Sequence, residues 1–162
     1  MGTVVNDPVA DIVADVAATT RRGSLMYSRN RFHAPWGAAF PAGNLATFHV
    51  ITTGACWLTV EGAEPVQLTR GDVVLLPSGA AHALVDTPQR PTRPMPEIAG
   101  RAFGDGAPPC DVVIEGDGPA TVFICGGYRL AAGVRDPLNN VLADVCGITA
   151  APGLSSLQLS LP

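Results

Sequence analysis

Residues 71–82 have the sequence Gly71-Asp72-Val73-Val74-Leu75-Leu76-Pro77-Ser78-Gly79-Ala80-Ala81-His82. The Gly71-Asp72 pair suits a tight turn, and residues 73–76 form a short run of β-branched and aliphatic side chains. Residues 77–79 break this run, and His82 opens a second apolar segment. The stretch therefore predicts a strand, a kink and another strand, with His82 directly after the corner.

Length and composition favour a single domain built from short strands. The chain has 162 residues, of which 47% are hydrophobic, 18 are Gly and 15 are Pro. A chain of this length buries a sizeable core without disulfide or metal support, and frequent Gly and Pro residues are typical of many turns. We expect one domain covering residues 1–162.

Charge and hydropathy exclude several classes of partner. The 10 Lys and Arg residues are outnumbered by 14 Asp and Glu residues, which gives a net charge of −4. Such a chain offers little positive surface to phosphates, so we predict that it does not itself bind nucleic acid. No run approaches the ~20 apolar residues of a membrane span, and no basic region followed by an apolar run marks secretion. These features predict a cytoplasmic location without membrane contact.

The four cysteines are widely spaced and form no CxxC pair; they are Cys56, Cys110, Cys125 and Cys146. This spacing argues against a small disulfide scaffold. It leaves metal ligation, redox sensing and simple burial as a small apolar side chain as open alternatives for each thiol.

Turn signals place the secondary structure along the chain. Residues 8–20 carry apolar side chains at helical spacing, which predicts a short N-terminal helix, and residues 137–142 predict a short C-terminal helical segment. Turns at residues 53–55 and 116–119 are expected to join their flanking strands as hairpins. The predicted strands cover residues 24–31, 38–41, 44–52, 56–60, 66–69, 73–76, 83–85, 110–115 and 120–130.

A Pro-rich segment interrupts this series of strands between residues 86 and 109. Because Pro cannot donate to a strand ladder, the segment predicts a long surface excursion. Many short strands separated by turns are typical of an all-β sandwich or barrel.

The spacing within residues 71–82 resembles the second motif of the cupin family. Gly71, Pro77, Gly79 and His82 match this motif, and Asp86 stands where the motif usually ends in Asn. The resemblance implies an all-β, jelly-roll-like cupin barrel with the short helical segments at its two ends.

The first cupin motif is present only in part. Gly43, His49 and Gly62 match its frame, whereas Ile51 stands where a second His is usual. The position of the usual carboxylate holds Ala55 or Cys56. Cupin enzymes of the dioxygenase and isomerase kind hold a metal ion with three imidazoles and a carboxylate, so this chain lacks two of the ligands that such catalysis requires.

A more specific resemblance covers nearly the whole chain. The chain is similar to the N-terminal cupin sensor domain of AraC-type transcription regulators, which place a helix-turn-helix DNA-binding module after this domain. The resemblance implies a homodimer that reaches DNA through a C-terminal module absent from this chain. The segments that carry the resemblance are residues 11–16, 22–25, 34–37, 48–50, 56–58, 71–77 and 125–128.

Strand alternation indicates which side chains converge inside such a barrel. Two His and two Cys residues are expected to face inward, and this donor set favours a closed tetrahedral Zn²⁺ site. The candidate metal ligands are His49, Cys56, His82 and Cys125. The alternative is that the cysteines pack as apolar residues and the histidines bind backbone in an emptied metal site.

A small organic ligand is the competing occupant, since barrels of this size commonly hold one. The candidate ligand-binding residues are Trp36, His49, Ile51, Leu58, His82 and Phe123. We therefore predict an effector-sensing domain that binds a small molecule or a metal and has no catalytic residues. A standalone small cupin metalloenzyme, or a binding or storage protein for a small molecule, are the alternatives.

Overall fold

The computed structural model describes residues 24–43, 45–76, 79–101, 110–128, 149–150 and 157–159. The helix predicted over residues 8–20 and the helical segment predicted over residues 137–142 lie outside these ranges. In the part that is described, no helix is long and apolar enough to cross a membrane.

The described residues are mostly strands, which confirms the predicted all-β class. The strands are β1 (Ser24–His33), β2 (Gly37–Phe40), β3 (Ala46–Thr53), β4 (Ala55–Val60), β5 (Val66–Thr69), β6 (Val73–Leu76), β7 (His82–Val85), β8 (Arg93–Pro94), β9 (Cys110–Ile114), β10 (Ala120–Tyr128), β11 (Thr149–Ala150) and β12 (Leu157–Leu159). They form a seven-stranded sheet in the order β11-β12-β6-β3-β10-β1-β9 and a five-stranded sheet in the order β5-β4-β7-β2-β8. The two sheets are separate ladders and do not close into one continuous barrel.

A short helix, α1 (Met95–Ala99), lies within the segment predicted as a surface excursion. Pro96 stands in the first turn, where its missing N–H costs nothing, and Gly100 ends the helix in the left-handed conformation with φ 66°. Met95 is buried against the core, and this contact anchors the segment. The sequence-based prediction gave weight to Pro as a breaker of strands and overlooked its compatibility with a helix start.

The stretch at residues 71–82 carries the chain from one sheet to the other. β6 lies in the seven-stranded sheet and β7 in the five-stranded sheet, which confirms the predicted strand, kink and strand. Gly79 has φ 64°, and a Cβ there would collide with the carbonyl oxygens of Gly43 and Leu45. The kink thus requires Gly at this position.

Both predicted hairpins are wrong. β9 and β10 do not pair with each other, because β1 lies between them, parallel to β9 and antiparallel to β10. β3 and β4 belong to different sheets, and the turn between them is a corner at Gly54, which has φ 75°. Turn residues show where a strand ends, whereas the partner of the next strand is set by long-range packing.

The register of the seven-stranded sheet brings polar residues from distant parts of the chain into neighbouring positions. Ser28 of β1 lies opposite Cys125 of β10, which lies opposite His49 of β3. In the other sheet, His82 of β7 lies opposite Phe40 of β2. The inner faces of the two sheets pack on each other, so these side chains share one interior.

Candidate functional site

The two histidines of the cupin-like motifs contact each other across the interior. Nε2 of His49 lies 2.7 Å from Nε2 of His82, and both side chains are buried. His49 belongs to β3 of the larger sheet and His82 to β7 of the smaller sheet. This contact is a polar link between the two sheets.

A thiol and an amide extend this contact into a longer series. Nδ1 of His49 lies 3.0 Å from Sγ of Cys125, and Nδ2 of Asn30 donates to the same sulfur at 3.2 Å. At the other end, Nδ1 of His82 lies 2.8 Å from the carbonyl oxygen of Ala80. We call the series Cys125–His49–His82–Ala80 the hydrogen-bonded chain; Asn30 adjoins it at the Cys125 end.

The donors and acceptors in the hydrogen-bonded chain can be assigned from chemistry alone. A carbonyl oxygen only accepts, so Nδ1–H of His82 donates to Ala80, and Nε2 of a neutral His82 carries the free lone pair. His49 must then donate through its Nε2–H, which leaves its Nδ1 as an acceptor for the Cys125 thiol. All four ring nitrogens are engaged when both rings are neutral and Cys125 is protonated.

Burial favours this uncharged state. The pKa of His49 is lowered well below its usual value, first by burial and then by the neighbouring His82. Burial also lowers the pKa of His82, against the opposing effect of its bond to Ala80. The pKa of the Cys125 thiol is raised by burial, which outweighs its hydrogen bonds to Ser28 and Asn30. An imidazolium–thiolate pair is therefore disfavoured, because charging either group in this interior costs solvation.

Aromatic rings pack around the hydrogen-bonded chain. The Phe40 ring stacks on the His82 ring with a centroid distance of 4.9 Å and an interplanar angle of 6°. The Phe40 and His49 ring centroids are 4.7 Å apart. Phe40 thus holds both imidazoles in place from the side of β2.

A second group of rings adjoins His49, whose ring centroid lies 6.4 Å from that of Phe123. The Trp36 ring stacks on the Phe123 ring at 5.6 Å with an interplanar angle of 19°. The edge of Phe32 meets both rings, each at a centroid distance of 5.2 Å. We call Phe32, Trp36 and Phe123 the aromatic cluster.

Two polar atoms beside the aromatic cluster have no hydrogen-bond partner. In the described part of the chain, the buried side-chain atoms without a partner are Oδ1 of Asn30 and Nε1 of Trp36. Both residues are almost completely inaccessible, at 0% and 3% relative exposure. Buried polar atoms are nearly always paired in folded proteins, so these two mark an unusual part of the interior.

The structure brings together three of the four predicted metal ligands and not the fourth. His49, His82 and Cys125 form successive contacts, whereas Cys56 lies at the far end of β4 from the position that pairs with His82. That position is Val60, four residues away, or about 13 Å along an extended strand. Burial, reinforced by the charge of Asp72, raises the pKa of Cys56 to about 12, so it stays a thiol.

The residues present do not fit a tetrahedral zinc ion. Two imidazoles on one tetrahedral Zn²⁺ have nitrogens about 3.3 Å apart, given Zn–N bonds of about 2.0 Å. The 2.7 Å separation of the two Nε2 atoms suits a hydrogen bond instead. Among the residues that the structure describes, no group of three or more His, Cys, Asp or Glu side chains is arranged to hold a metal. The predicted closed zinc site is therefore not assembled.

The predicted ligand-binding residues all face the interior. Trp36, Ile51, Leu58 and Phe123 belong to one buried apolar cluster, and His49 and His82 lie beside it. Sequence analysis missed Ser28, Asn30 and Phe40. The signal was available for two of them, because Ser28 and Asn30 alternate with Phe32 on one face of the predicted first strand.

Comparison with known proteins places the chain among relatives of this fold. A family model described as Cupin matches residues 7–160. A Streptomyces antibioticus protein provisionally named an AraC-like transcription regulator is 25% identical over 160 residues, which are 96% of this chain and 48% of that protein. The chain thus spans about half the length of this curated relative. These matches confirm the resemblance found in the sequence.

Two solved structures also match. A cupin protein from Bacteroides fragilis has a TM-score of 0.43 and 14% identity, covering 70% of this chain and 71% of that chain. A Ralstonia eutropha protein provisionally named a mannose-6-phosphate isomerase has a TM-score of 0.33 and 17% identity, covering 58% of this chain and 67% of that chain.

Proposed function

Because this chain belongs to the cupin family, we propose that it is the effector-sensing domain of an AraC-type transcription regulator. In this proposal it forms a homodimer and acts on DNA through a module outside these 162 residues. The similarity to the Streptomyces regulator over nearly the whole chain supports a regulatory role. The net charge of −4 supports a separate module for DNA contact.

The observation that carries the proposal is the contact between His49 and His82. Metal-dependent enzymes need an open coordination position on the metal to activate a substrate. Here the two imidazoles engage each other, and the remaining nitrogens bind Cys125 and Ala80. Since every ring nitrogen is used, the site offers neither an open metal position nor a free base, and a sensing role follows more readily than catalysis.

The occupant in this proposal is a small organic molecule and not zinc. Cys56 lies four residues along β4 from the position opposite His82, too far from that imidazole to complete a tetrahedral set. Four of the six residues predicted to contact a ligand belong to one buried apolar cluster and the two histidines lie beside it, a mostly apolar lining that suits an organic effector.

The architecture suggests how occupancy changes the surface. The interior lies between two separate sheets, and His49 and His82 link them. An effector that binds one spacing of the sheets more tightly shifts the population toward that spacing. The shift is transmitted to the dimer contact or a surface arm, to an extent set by the difference in affinity for the two states.

The test is a DNA-binding assay on the complete native gene product, with the sequence downstream of Pro162 read first. We expect the gene to continue into two helix-turn-helix units, and we expect its full product to retard DNA from upstream of its own gene. A product that ends at Pro162 and turns over a metabolite in a metal-dependent way would overturn the proposal in favour of the metalloenzyme. A product that ends there without turnover would favour a storage protein.

A further inference from the structure

The unpaired oxygen of Asn30 has a fixed direction. Nδ2 of Asn30 lies 3.3 Å from the carbonyl oxygen of Phe123, which can only accept a hydrogen bond. The nitrogen must therefore face Phe123, with Oγ of Ser28 and Sγ of Cys125 at 3.2 Å from the same atom. Turning the amide over would place two acceptors against each other. The atom left without a partner is thus an acceptor, Oδ1.

The unpaired nitrogen of Trp36 is a hydrogen-bond donor, and the Trp36 side chain also contacts Phe123. Indole nitrogen only donates, and the Trp36 ring lies flat against the Phe123 ring. Both unpaired atoms therefore belong to side chains that contact Phe123, one through its backbone and one through its ring. An unpaired acceptor and an unpaired donor, both buried, thus lie on two side chains that contact Phe123.

The charge of the interior restricts what can satisfy these two atoms. Among the described residues, the buried polar or charged side chains are Ser28, Asn30, His49, Asp72, His82 and Thr121. The hydrogen bonds of the two histidines are all satisfied when both rings are neutral, since the contact between their Nε2 atoms needs one lone pair. Asp72 accepts from the backbone N–H of Thr69 at 2.7 Å, in the turn before β6. A charged ligand would gain no buried counter-ion beside Asn30 and Trp36 and would lose its hydration.

We propose that Asn30 and Trp36 recognise a small, planar and uncharged molecule that carries both a hydrogen-bond donor and an acceptor, as an aromatic amide does. Its N–H or O–H donates to Oδ1 of Asn30, and its carbonyl or hydroxyl oxygen accepts from Nε1–H of Trp36. Its ring packs beside the aromatic cluster, where ring–ring contact favours aromatic over aliphatic ligands. This assignment rests on the proposed sensing function and names the chemical class of the effector.

Three probes of one size separate the elements of this proposal. Benzamide is neutral and carries a donor and an acceptor, benzoate has the same shape with a charge, and toluene has the ring alone. Binding to the complete native protein is measured by isothermal titration calorimetry and by the change in tryptophan fluorescence. We expect benzamide to bind at least about tenfold more tightly than either other probe, because only benzamide pairs both buried atoms.

Two matched variants locate the binding. Trp36→Phe keeps an aromatic ring at this position and removes the donor together with part of the indole, and Trp57→Phe removes a half-buried indole on β4. We expect Trp36→Phe to weaken benzamide binding about tenfold more than toluene binding, while Trp57→Phe changes neither. If Trp36→Phe fails to fold, contacts between the benzamide amide protons and Asn30 in the nuclear magnetic resonance spectrum of the wild-type protein test the same assignment.

Several outcomes would overturn the ligand class. Equal binding of toluene and benzamide would show that the two polar atoms do not select ligands. An ordered water bridging Asn30 and Trp36 that benzamide does not displace would show that solvent satisfies them. Failure of the proposed function is separate, because it appears as absence of DNA retardation by the full gene product whether or not benzamide binds.

Discussion

The hydrogen-bonded chain and the aromatic cluster share one interior but differ in how completely their polar atoms are paired. In the hydrogen-bonded chain, each ring nitrogen of His49 and His82 has a partner within 3.0 Å. In the cluster, Nε1 of Trp36 has none, and Oδ1 of the adjoining Asn30 has none. A buried group without a partner costs about 1–3 kcal/mol, so the cluster carries a cost that the chain avoids.

This difference separates a structural role from a recognition role. A fully paired network is rigid and specifies one packing, since any change breaks a bond in a region of low dielectric. Unpaired atoms gain free energy when a matching molecule arrives. The two histidines thus link the sheets, and the aromatic cluster is the place where a ligand gains most.

Among the changes considered, removing the Phe123 ring is expected to change the free energy of unfolding most. Phe123 is fully buried, and its ring contacts both other members of the aromatic cluster. We expect Phe123→Ala to lower the free energy of unfolding by about 3–5 kcal/mol in urea denaturation, because it leaves a cavity. The matched control is Val113→Ala on the edge strand β9, where the side chain is 43% exposed. The control should cost under about 0.5 kcal/mol, and a similar loss in both variants would contradict the packing described.

Acidification is expected to lower the free energy of unfolding by an intermediate amount, through the two histidines of the hydrogen-bonded chain. The folded-state pKa values of His49 and His82 are both below the ordinary value of 6.5. As pH falls below 6.5, the unfolded chain binds protons that the folded chain does not, so the free energy of unfolding decreases toward the folded-state pKa values. This part of the stability is fully present above pH 6.5.

The measurement compares urea unfolding between pH 7 and pH 5 in the wild type and in the His49→Leu, His82→Leu double variant. Replacing both partners by apolar side chains removes the titrating groups together and leaves no imidazole unpaired. We expect the double variant to lose less stability over this interval. An unchanged dependence would show that the two histidines do not titrate at lowered pKa values.

Zinc is expected to have the smallest effect. Protein purified without a metal-affinity tag should contain less than about a tenth of an equivalent of zinc, because the four candidate ligands do not form a closed site. Excess zinc should leave the unfolding temperature within error of that measured in a chelator. Retention of one equivalent of zinc, lost in both His82→Ala and Cys125→Ala, would support the tetrahedral zinc site. It would also remove the contrast between the hydrogen-bonded chain and the aromatic cluster.

Much of the fold was predictable because strand signals are local. The run at residues 73–76, the break after it and His82 beyond the corner all appear in the structure as predicted. The pairing of strands was less predictable. β1 lies between β9 and β10 and pairs in parallel with β9. This pairing joins residues far apart in sequence, so the turn residues between β9 and β10 do not predict it.

The candidate site shows the same division. Alternation along a strand correctly placed His49, His82 and Cys125 in the interior, since successive side chains point to opposite faces of a sheet. It also placed Cys56 inside, where it is buried, but it gave no position along the strand axis. Residues that face the same interior can therefore be too far apart to bind one metal ion.

The sequence by itself determined the all-β class, the kink after β6 and the set of inward-facing side chains, because local backbone preferences and a two-residue period set these features. Only the tertiary structure decided that His49 binds His82, that Cys56 stays apart and that Asn30 and Trp36 keep unpaired atoms. Those outcomes depend on the spacing and register of the two sheets. A difference of about 1 Å in the separation of side chains from different sheets is set by packing and not by any local sequence pattern.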